Sequence, residues 1–159
     1  MADYDYKAGK QRLEEILDND MEVVEQDKLP NDDDFTFTNG YYSWVSAIFV
    51  DMRDSTELCA DEDKEKLAKV FRSFSSEIIE ILRDDDNLRE IGMRGDCVYA
   101  VYTNPKQADV YETANKCFYV NTFMKMLNQL FREHNLPEIK VGIGMSTAQA
   151  VSYTHLRAH

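Results

Sequence analysis

The sequence predicts an α+β fold in which an antiparallel sheet has two helices on one face and a further helix precedes the sheet. Two long segments place apolar residues at helical spacing, and four short segments are rich in β-branched and aromatic residues. These segments follow one another as strand, helix, strand, strand, helix, strand. The βαββαβ order is typical of ferredoxin-like domains, in which the first strand and the hairpin lie side by side in the middle of the sheet.

The first 40 residues are expected to form a helix and an acidic linker. From about Tyr4 to Glu25, apolar residues recur every three or four positions, which predicts an amphipathic helix. The following stretch, "DKLPNDDDFTFTNG", combines a proline, a run of acids and Asn39-Gly40, all of which favour loops and turns. The main domain is therefore expected to span residues 41–150.

A strand and a helix open the main domain. The stretch "YYSWVSAIFV", Tyr41 to Val50, is rich in aromatic and β-branched residues and predicts a strand. Apolar residues from Leu67 to Leu82 then step by three and four, which predicts a long helix with one buried face. The helix is expected to stop near the acidic run "RDDDN".

A hairpin, a second helix and a last strand complete the order. The runs "LREIGM" and "CVYAVY" flank Gly95-Asp96 at the spacing of a tight hairpin. Helical spacing returns from Lys106 to about Asn135, and "LPEIKVGIGMS" then indicates a turn followed by a strand. Asp96 is thus expected at the tip of the hairpin.

Composition limits the classes of function. The chain has 159 residues and a formal net charge of -12, with 30 acidic against 18 basic side chains. This length fits one domain, and the acidic excess argues against binding to nucleic acid or to an anionic membrane, since phosphates are held by clustered Lys and Arg. Three cysteines without CxxC spacing indicate neither a disulfide framework nor a zinc site. Because no stretch has the pattern of a signal peptide or a membrane span, a cytoplasmic protein is expected.

Two acidic residues are candidate metal ligands. Asp51 ends the first strand in "AIFVDMRDST" and Asp96 lies at the hairpin tip, so the predicted sheet places them close together. Either acid alone is typical of a turn or a helix cap. Two converging carboxylates, however, repel each other unless a cation neutralises them, and an all-oxygen site suits Mg²⁺ or Mn²⁺.

The segment after Asp51 is suited to a phosphate. Ser55 and Thr56 are expected to cap the start of a helix, where backbone N–H groups favour anions. Mg²⁺ and Mn²⁺ commonly complete their coordination with substrate phosphates. We therefore expect a metal site that faces a phosphate-binding helix start, while His134 is expected at a solvated helix end, away from the chemistry.

Three motifs give a family resemblance. In order and spacing, "FVDMRDST", "RGDCVYAVY" and "KVGIGMS" resemble the catalytic core of the class III nucleotidyl cyclases, over roughly Trp44 to Met145. The resemblance implies that Asp51, Asp96 and the backbone carbonyl of Met52 hold two Mn²⁺ or Mg²⁺ ions, through which the two acids act in catalysis. The implied reaction converts a nucleoside triphosphate to a 3′,5′-cyclic monophosphate and pyrophosphate.

The identity of the base depends on a finer resemblance. Purine cyclases of this family usually place a Lys or Glu three positions before the Gly of the Gly-Asp turn, whereas this chain has Gly92. The leader and the first motif resemble the pyrimidine cyclases of bacterial antiphage systems (Pycsar), which implies UTP as substrate, with CTP or ATP as alternatives. Phe49 is a candidate neighbour of the base or a core residue. Arg94 is a candidate contact to base or phosphate, or a solvated hairpin residue, and Thr56 a candidate phosphate contact.

The chain also departs from the family pattern. Many members have Gly where this chain has Asp54, so the turn must accommodate a side chain. The family's catalytic domain continues past the "GIGMS" strand, whereas residues 151–159 resemble translated sequencing adapter, which leads us to expect a C-terminally truncated chain with a non-native tail. The family's head-to-tail dimers imply a homodimer.

Two other classes of function fit the same pattern of elements. A ferredoxin-like binding module without catalysis would use Asp51 and Asp96 as turn residues. A polymerase-like nucleotidyl transferase would share the βαββαβ core and the paired acids, but a primer groove needs cationic residues that this acidic chain lacks.

Overall fold

The computed structural model describes residues 5–20, 22–27, 39–61 and 63–152. Its elements, in chain order, are α1 (Tyr6–Asp18), β1 (Glu22–Glu25), β2 (Asn39–Met52), α2 (Ser55–Asp61), α3 (Lys64–Arg83), β3 (Leu88–Arg94), β4 (Cys97–Thr103), α4 (Gln107–Glu133) and β5 (Val141–Ser152). From β2 onward, the long elements follow the predicted order of strand, helix, strand, strand, helix, strand. The short helix α2 is an addition between β2 and α3.

The central strand of the sheet is β2. It pairs antiparallel with β5 on one edge and with β4 on the other, and β3 pairs antiparallel with β4. The strand order of this core, β5-β2-β4-β3, confirms the predicted α+β arrangement. Because β2 is central, a residue at its end has neighbours on both sides.

Helices α3 and α4 cover one face of the sheet, as predicted. Alternate residues of β2 and β4 point into this core, namely Ile48, Val50, Met52, Val98, Ala100 and Tyr102. The helices contribute residues at helical spacing, among them Val70, Phe74, Ile78, Leu82, Val120, Met124 and Leu127. The intervening strand residues point to the opposite side of the sheet, which we call the open face.

The predicted leader helix is wrong at its C-terminal end. Helix α1 stops at Asp18, and Glu22–Glu25 forms β1, which runs parallel to the start of β2. Val23 and Val24 are β-branched and favour a strand. Residues of β2 before Val45 extend beyond the part paired with β4, so this edge offers backbone groups that β1 can bind.

The last strand continues further than expected. Val151 and Ser152, placed in the predicted non-native tail, pair with Tyr42 and Tyr41 of β2 as part of β5. Residues 153–159 of that tail, and residues 28–38 of the predicted acidic linker, lie outside the described residues.

Helix α4 ends in a turn that directs the chain back to the sheet. Asn135 has a φ of 55°, and the Leu136 N–H donates to the Phe131 carbonyl at 2.8 Å, which is a Schellman ending. His134 occupies the C-cap position and is exposed. The following strand β5 therefore begins at Val141, beside the end of β2 that bears Asp51.

Candidate active site

Asp51 and Asp96 lie at the same end of the sheet. Asp51 is directly opposite Cys97, the first residue of β4, and the Met52 N–H donates to the Asp96 carbonyl at 3.3 Å. The hairpin turns through Gly95, whose φ of 63° is a conformation that glycine adopts without strain. The structure thus brings together the two acids that the sequence analysis paired.

The thiol of Cys97 lies within electrostatic reach of both carboxylates. Burial raises the pKa of this thiol, and the negative charges of Asp51 and Asp96 raise it further. Sequence reasoning did not single out Cys97, although its position opposite Asp51 follows once the hairpin register is known.

The turn after Asp51 contains a backbone conformation that side chains seldom adopt. Asp54 has a φ of 58°, and its carbonyl accepts the Leu58 N–H at 3.0 Å. Asp54 therefore stands at the cap position where Ser55 was expected, and α2 begins at Ser55 itself. Thr56 is exposed in the first turn of α2.

Ser55 has a different role from the one expected. Its hydroxyl donates a hydrogen bond to Oδ2 of Asp96, which ties the start of α2 to the hairpin tip. This bond fixes one carboxylate oxygen of Asp96 and orients the side chain. The hydroxyl is therefore a support for an acid rather than a helix cap.

The chemistry of this group of residues fits a divalent cation. Asp51 and Asp96 supply carboxylate oxygens, and Met52, whose side chain is buried, can supply only its backbone carbonyl. In an antiparallel strand the N–H and C=O of one residue point to the same neighbour, so this carbonyl is directed towards the Asp96 hairpin. Within the described residues, no group of three or more His, Cys, Asp or Glu side chains could hold a metal. An ion held here would thus need water or substrate oxygens as well.

A row of four residues crosses the open face beside the acids. Direct cross-strand pairing places Gly144, Phe49, Tyr99 and Gly92 next to one another on β5, β2, β4 and β3. The Phe49 side chain is 49% exposed, so it lies on the open face and not in the core. Its ring stacks on Tyr99 with centroids 6.2 Å apart and an interplanar angle of 27°.

Arg94 lies at the end of β3, on the same face as this row. It is exposed and pairs directly with Cys97, which is opposite Asp51 and follows Asp96 in the chain. Its positive charge lowers the pKa of the Tyr99 phenol, although the hydrogen bond to Glu90 outweighs this effect and the pKa is raised overall. Arg94 is thus close to both the acids and the aromatic pair.

The family model described as the adenylate and guanylate cyclase catalytic domain matches residues 38–155. The chain belongs to this family.

Two curated relatives of the chain are both named uridylate cyclase. A uridylate cyclase of Treponema porcinum is 53% identical over 146 residues, which are 92% of this chain and 51% of the relative. A uridylate cyclase of Gulbenkiania mobilis is 31% identical over 155 residues, which are 93% of this chain and 60% of the relative. The chain therefore spans only about half the length of the first relative.

A solved structure supports the fold of the cyclase domain. The adenylyl cyclase CyaB from P. aeruginosa is similar with a TM-score of 0.62 and 20% identity, over 70% of this chain and 59% of that chain. In the described ranges, each helix is too short or too polar to cross a lipid bilayer.

The structure of the cyclase domain adds a cation that sequence reasoning missed. The Arg53 guanidinium lies over the backbone of Gly142, the direct partner of Asp51 on β5, and Nη2 is 2.5 Å from where a Cβ would stand. In this conformation the guanidinium occupies the space that a side chain at position 142 would take. The signal in the sequence was weak, because Arg53 follows Asp51 by two positions but the pairing with Gly142 depends on strand register.

Proposed function

We propose that this chain is the catalytic domain of a uridylate cyclase, which converts UTP to 3′,5′-cyclic UMP and pyrophosphate. The observation that supports this proposal most directly is the 53% identity to a curated uridylate cyclase across 92% of the chain. The convergence of Asp51 and Asp96 beside an aromatic pair is the geometry that such a reaction needs.

The proposed reaction needs no protein nucleophile. The 3′-oxygen of the ribose forms a bond to the α-phosphorus while the bond from that phosphorus to the bridging oxygen breaks, pyrophosphate leaves, and the hydroxyl proton passes to solvent. Two bound Mn²⁺ or Mg²⁺ ions would lower the pKa of the ribose 3′-hydroxyl and neutralise the charge of the triphosphate.

In this proposal, the residues of the chain hold the metal ions and orient the carboxylates that bind them. Asp51, Asp96 and the Met52 carbonyl bind the ions, and Ser55 keeps the Asp96 carboxylate in one orientation. Thr56, exposed at the start of α2, contacts phosphate.

Phe49 and Arg94 are the proposed contacts to the nucleotide. Phe49 offers a half-exposed aromatic surface on which a base can stack, one row away from the acids. Arg94 offers a fixed positive charge at the neighbouring strand end, where a base carbonyl or a phosphate can accept its hydrogen bonds.

The open face supports a proposal about assembly. The Phe49 side chain is 49% exposed on this face, and a second subunit would remove this apolar surface from water. We propose a homodimer, with cyclic UMP acting as a second messenger in antiphage defence. CTP and ATP are the alternative substrates, and a non-catalytic ferredoxin-like binding module is the alternative of another class.

Binding of UTP to the chain tests the metal residues without relying on turnover. Titration calorimetry with Mn²⁺ is expected to show UTP binding that Asp51→Asn weakens by roughly 10- to 100-fold, as loss of a metal-supporting group does. Glu77→Gln, which removes an exposed acid of α3 away from the acid pair, serves as the control and is expected to bind normally. Equal binding by wild type and Asp51→Asn contradicts the metal assignment.

A further inference from the structure

We propose that α1 of one chain pairs antiparallel with α1 of a second copy, so that the basic half of each helix faces the acidic half of the other. The inference goes beyond the proposed function, because it depends neither on the substrate nor on the acid pair. It concerns a helix that precedes the residues matched by the cyclase family model.

The first step is the order of charges along α1. Three basic residues come first and three acidic residues follow, in the order Lys7, Lys10, Arg12, Glu14, Glu15 and Asp18. The first turn therefore contains no acidic residue, and the last turn contains no basic residue. Because the macrodipole of a helix favours acids near the N-terminus and bases near the C-terminus, these charges disfavour α1 as an isolated helix.

The second step is that α1 fully buries no side chain. Among its 13 residues, all within the described part of the chain, only Gly9 is buried, while Leu13 and Leu17 are 59% and 79% exposed. The two leucines lie four positions apart and form a stripe on one face. A helix of this length is only marginally stable in water without packing, so its apolar stripe needs a partner.

The third step is the orientation of the pair. Lys10 and Glu14 lie at equal distances from the middle of α1 and form an ion pair at 3.1 Å within the helix. In an antiparallel pair centred on this point, Lys10 faces Glu14 of the second copy, and the two copies of Leu13 lie close together. A parallel pair would instead place every charge opposite an identical one. Because charges that flank an apolar seam set the orientation of paired helices, the antiparallel pair is favoured.

Pairing with a second copy also removes the conflict with the macrodipole. In the antiparallel pair, the acidic half of each helix lies beside the N-terminus of the other, where negative charge is favourable. The surface is thereby complementary to itself, as a two-fold symmetric dimer requires. Since the stripe of Leu13 and Leu17 is small, we expect α1 to contribute a weak interface that strengthens the proposed homodimer.

The first test measures self-association of the chain by sedimentation equilibrium at several protein concentrations. One variant reverses the acidic half of α1, through Glu14→Lys, Glu15→Lys and Asp18→Lys. The second variant also reverses the basic half, through Lys7→Glu, Lys10→Glu and Arg12→Glu.

A control separates the charge pattern of α1 from the net charge of the chain. It changes exposed acids of α3 and α4, through Glu77→Lys, Glu112→Lys and Glu133→Lys. The control shifts the net charge by the same amount as the variant with the reversed acidic half.

We expect reversal of the acidic half to weaken self-association by about tenfold or more, because like charges then face each other along the pair. The doubly reversed variant should associate within roughly threefold of wild type, since its halves are complementary again. The control should not weaken association, because its smaller net charge reduces the repulsion between chains. Unaltered association after reversal of the acidic half, or an equal loss in the control, overturns the inference.

The second test determines the orientation with the charge pattern largely intact. Lys7→Cys and Asp18→Cys are introduced separately into chains with Cys59→Ser, which removes the exposed native thiol. An oxidised mixture should contain a disulfide between the two kinds of chain. Antiparallel pairing keeps the two copies of position 7 roughly 15 Å apart, beyond the reach of a disulfide. Disulfides that form between two Lys7→Cys chains indicate a parallel pair and overturn the inference.

The remaining outcomes separate this inference from the proposed homodimer. A wild-type dimer that the α1 variants do not affect overturns the α1 pair and leaves a dimer through the open face standing. A wild-type chain that is monomeric at every concentration overturns both. UTP binding, measured separately by calorimetry, decides the proposed reaction in either case.

Discussion

Tyr102 is the largest side chain of β4 that is fully buried, and its hydroxyl is part of the core. It donates a hydrogen bond to the Leu82 carbonyl in the last turn of α3 at 2.6 Å. Lys116 lies over the same ring at 5.8 Å and donates to the Asp84 carbonyl at 2.8 Å, just beyond the helix. The C-terminal end of α3 is thus closed by two donors from β4 and α4.

We predict that ionisation of Tyr102 destabilises the fold at high pH. Burial, reinforced by the charge of Asp85, raises the pKa of this phenol well above its ordinary value of about 10. A pKa raised in the folded state means that the contribution of the group to stability is complete below about pH 10 and declines as the pH rises further.

The measurement is urea unfolding of wild type and Tyr102→Phe between pH 7 and pH 11. Tyr102→Phe should lower the free energy of unfolding by about 1 kcal/mol at pH 7, because the Leu82 carbonyl loses its donor. Above pH 10 the variant should lose less stability with pH than wild type. Parallel declines would contradict the assignment, and Tyr111→Phe on the surface is the control.

At the scale of elements, Asn128 connects helix α4 to the segment that leads into β5. Its side-chain amide donates to the Ile139 carbonyl at 2.8 Å, and its side-chain oxygen accepts the Ile139 N–H at 2.9 Å. Ile139 is 4% exposed, so these backbone groups have little water available as a substitute. The start of β5 beside Asp51 depends on this connection.

We predict that Asn128→Ala lowers the free energy of unfolding by about 2–3 kcal/mol, because two partly buried backbone groups lose their partners at once. Gln129→Ala, next to it on the exposed side of α4, removes a single surface hydrogen bond to Glu133 and should cost less than about 0.5 kcal/mol. Chemical denaturation of the two variants measures the difference. Equal, small effects would show that the connection contributes little.

Sequence patterns predict some elements better than others for a physical reason. The helices α3 and α4 were predicted because 20 and 27 residues repeat the helical period many times. The strand β1 was missed because Val24 also fits the apolar spacing of the preceding helix, and only pairing with β2 decides between helix and strand. Helix α2 was not separated from α3, since the break at Asp63 depends on a cap that accepts the Glu65 N–H.

At the scale of the whole molecule, the candidate site is formed by strand register. Asp51 and Asp96 were predictable, because each lies at the end of a recognisable strand or hairpin. The position of Phe49 on the same face as Asp51 was also predictable, because side chains two positions apart in a strand lie on one face. The positions of Tyr99 opposite Phe49 and of Gly142 opposite Asp51 were not predictable. They depend on which residues face each other across the sheet, and spacing along one segment does not contain that information.

The acidic charge of the molecule also bears on the reaction. A net charge of -12 repels a nucleoside triphosphate, so the substrate must be attracted locally. Arg53 and Arg94 lie on either side of the acid pair, over Gly142 and opposite Cys97. In the proposed function, these two side chains and the bound cations would together offer the positive charge that a triphosphate requires.

The most direct test of the central claim uses a chimera in which this chain replaces the matching segment of the Treponema porcinum relative. Conversion of the four nucleoside triphosphates by this chimera is measured in the presence of Mn²⁺, with product separation by chromatography. The account predicts that UTP is converted to 3′,5′-cyclic UMP and pyrophosphate in preference to CTP, ATP and GTP, and that Asp51→Asn abolishes the conversion. Preferential formation of cyclic AMP, or full activity of Asp51→Asn, would contradict it.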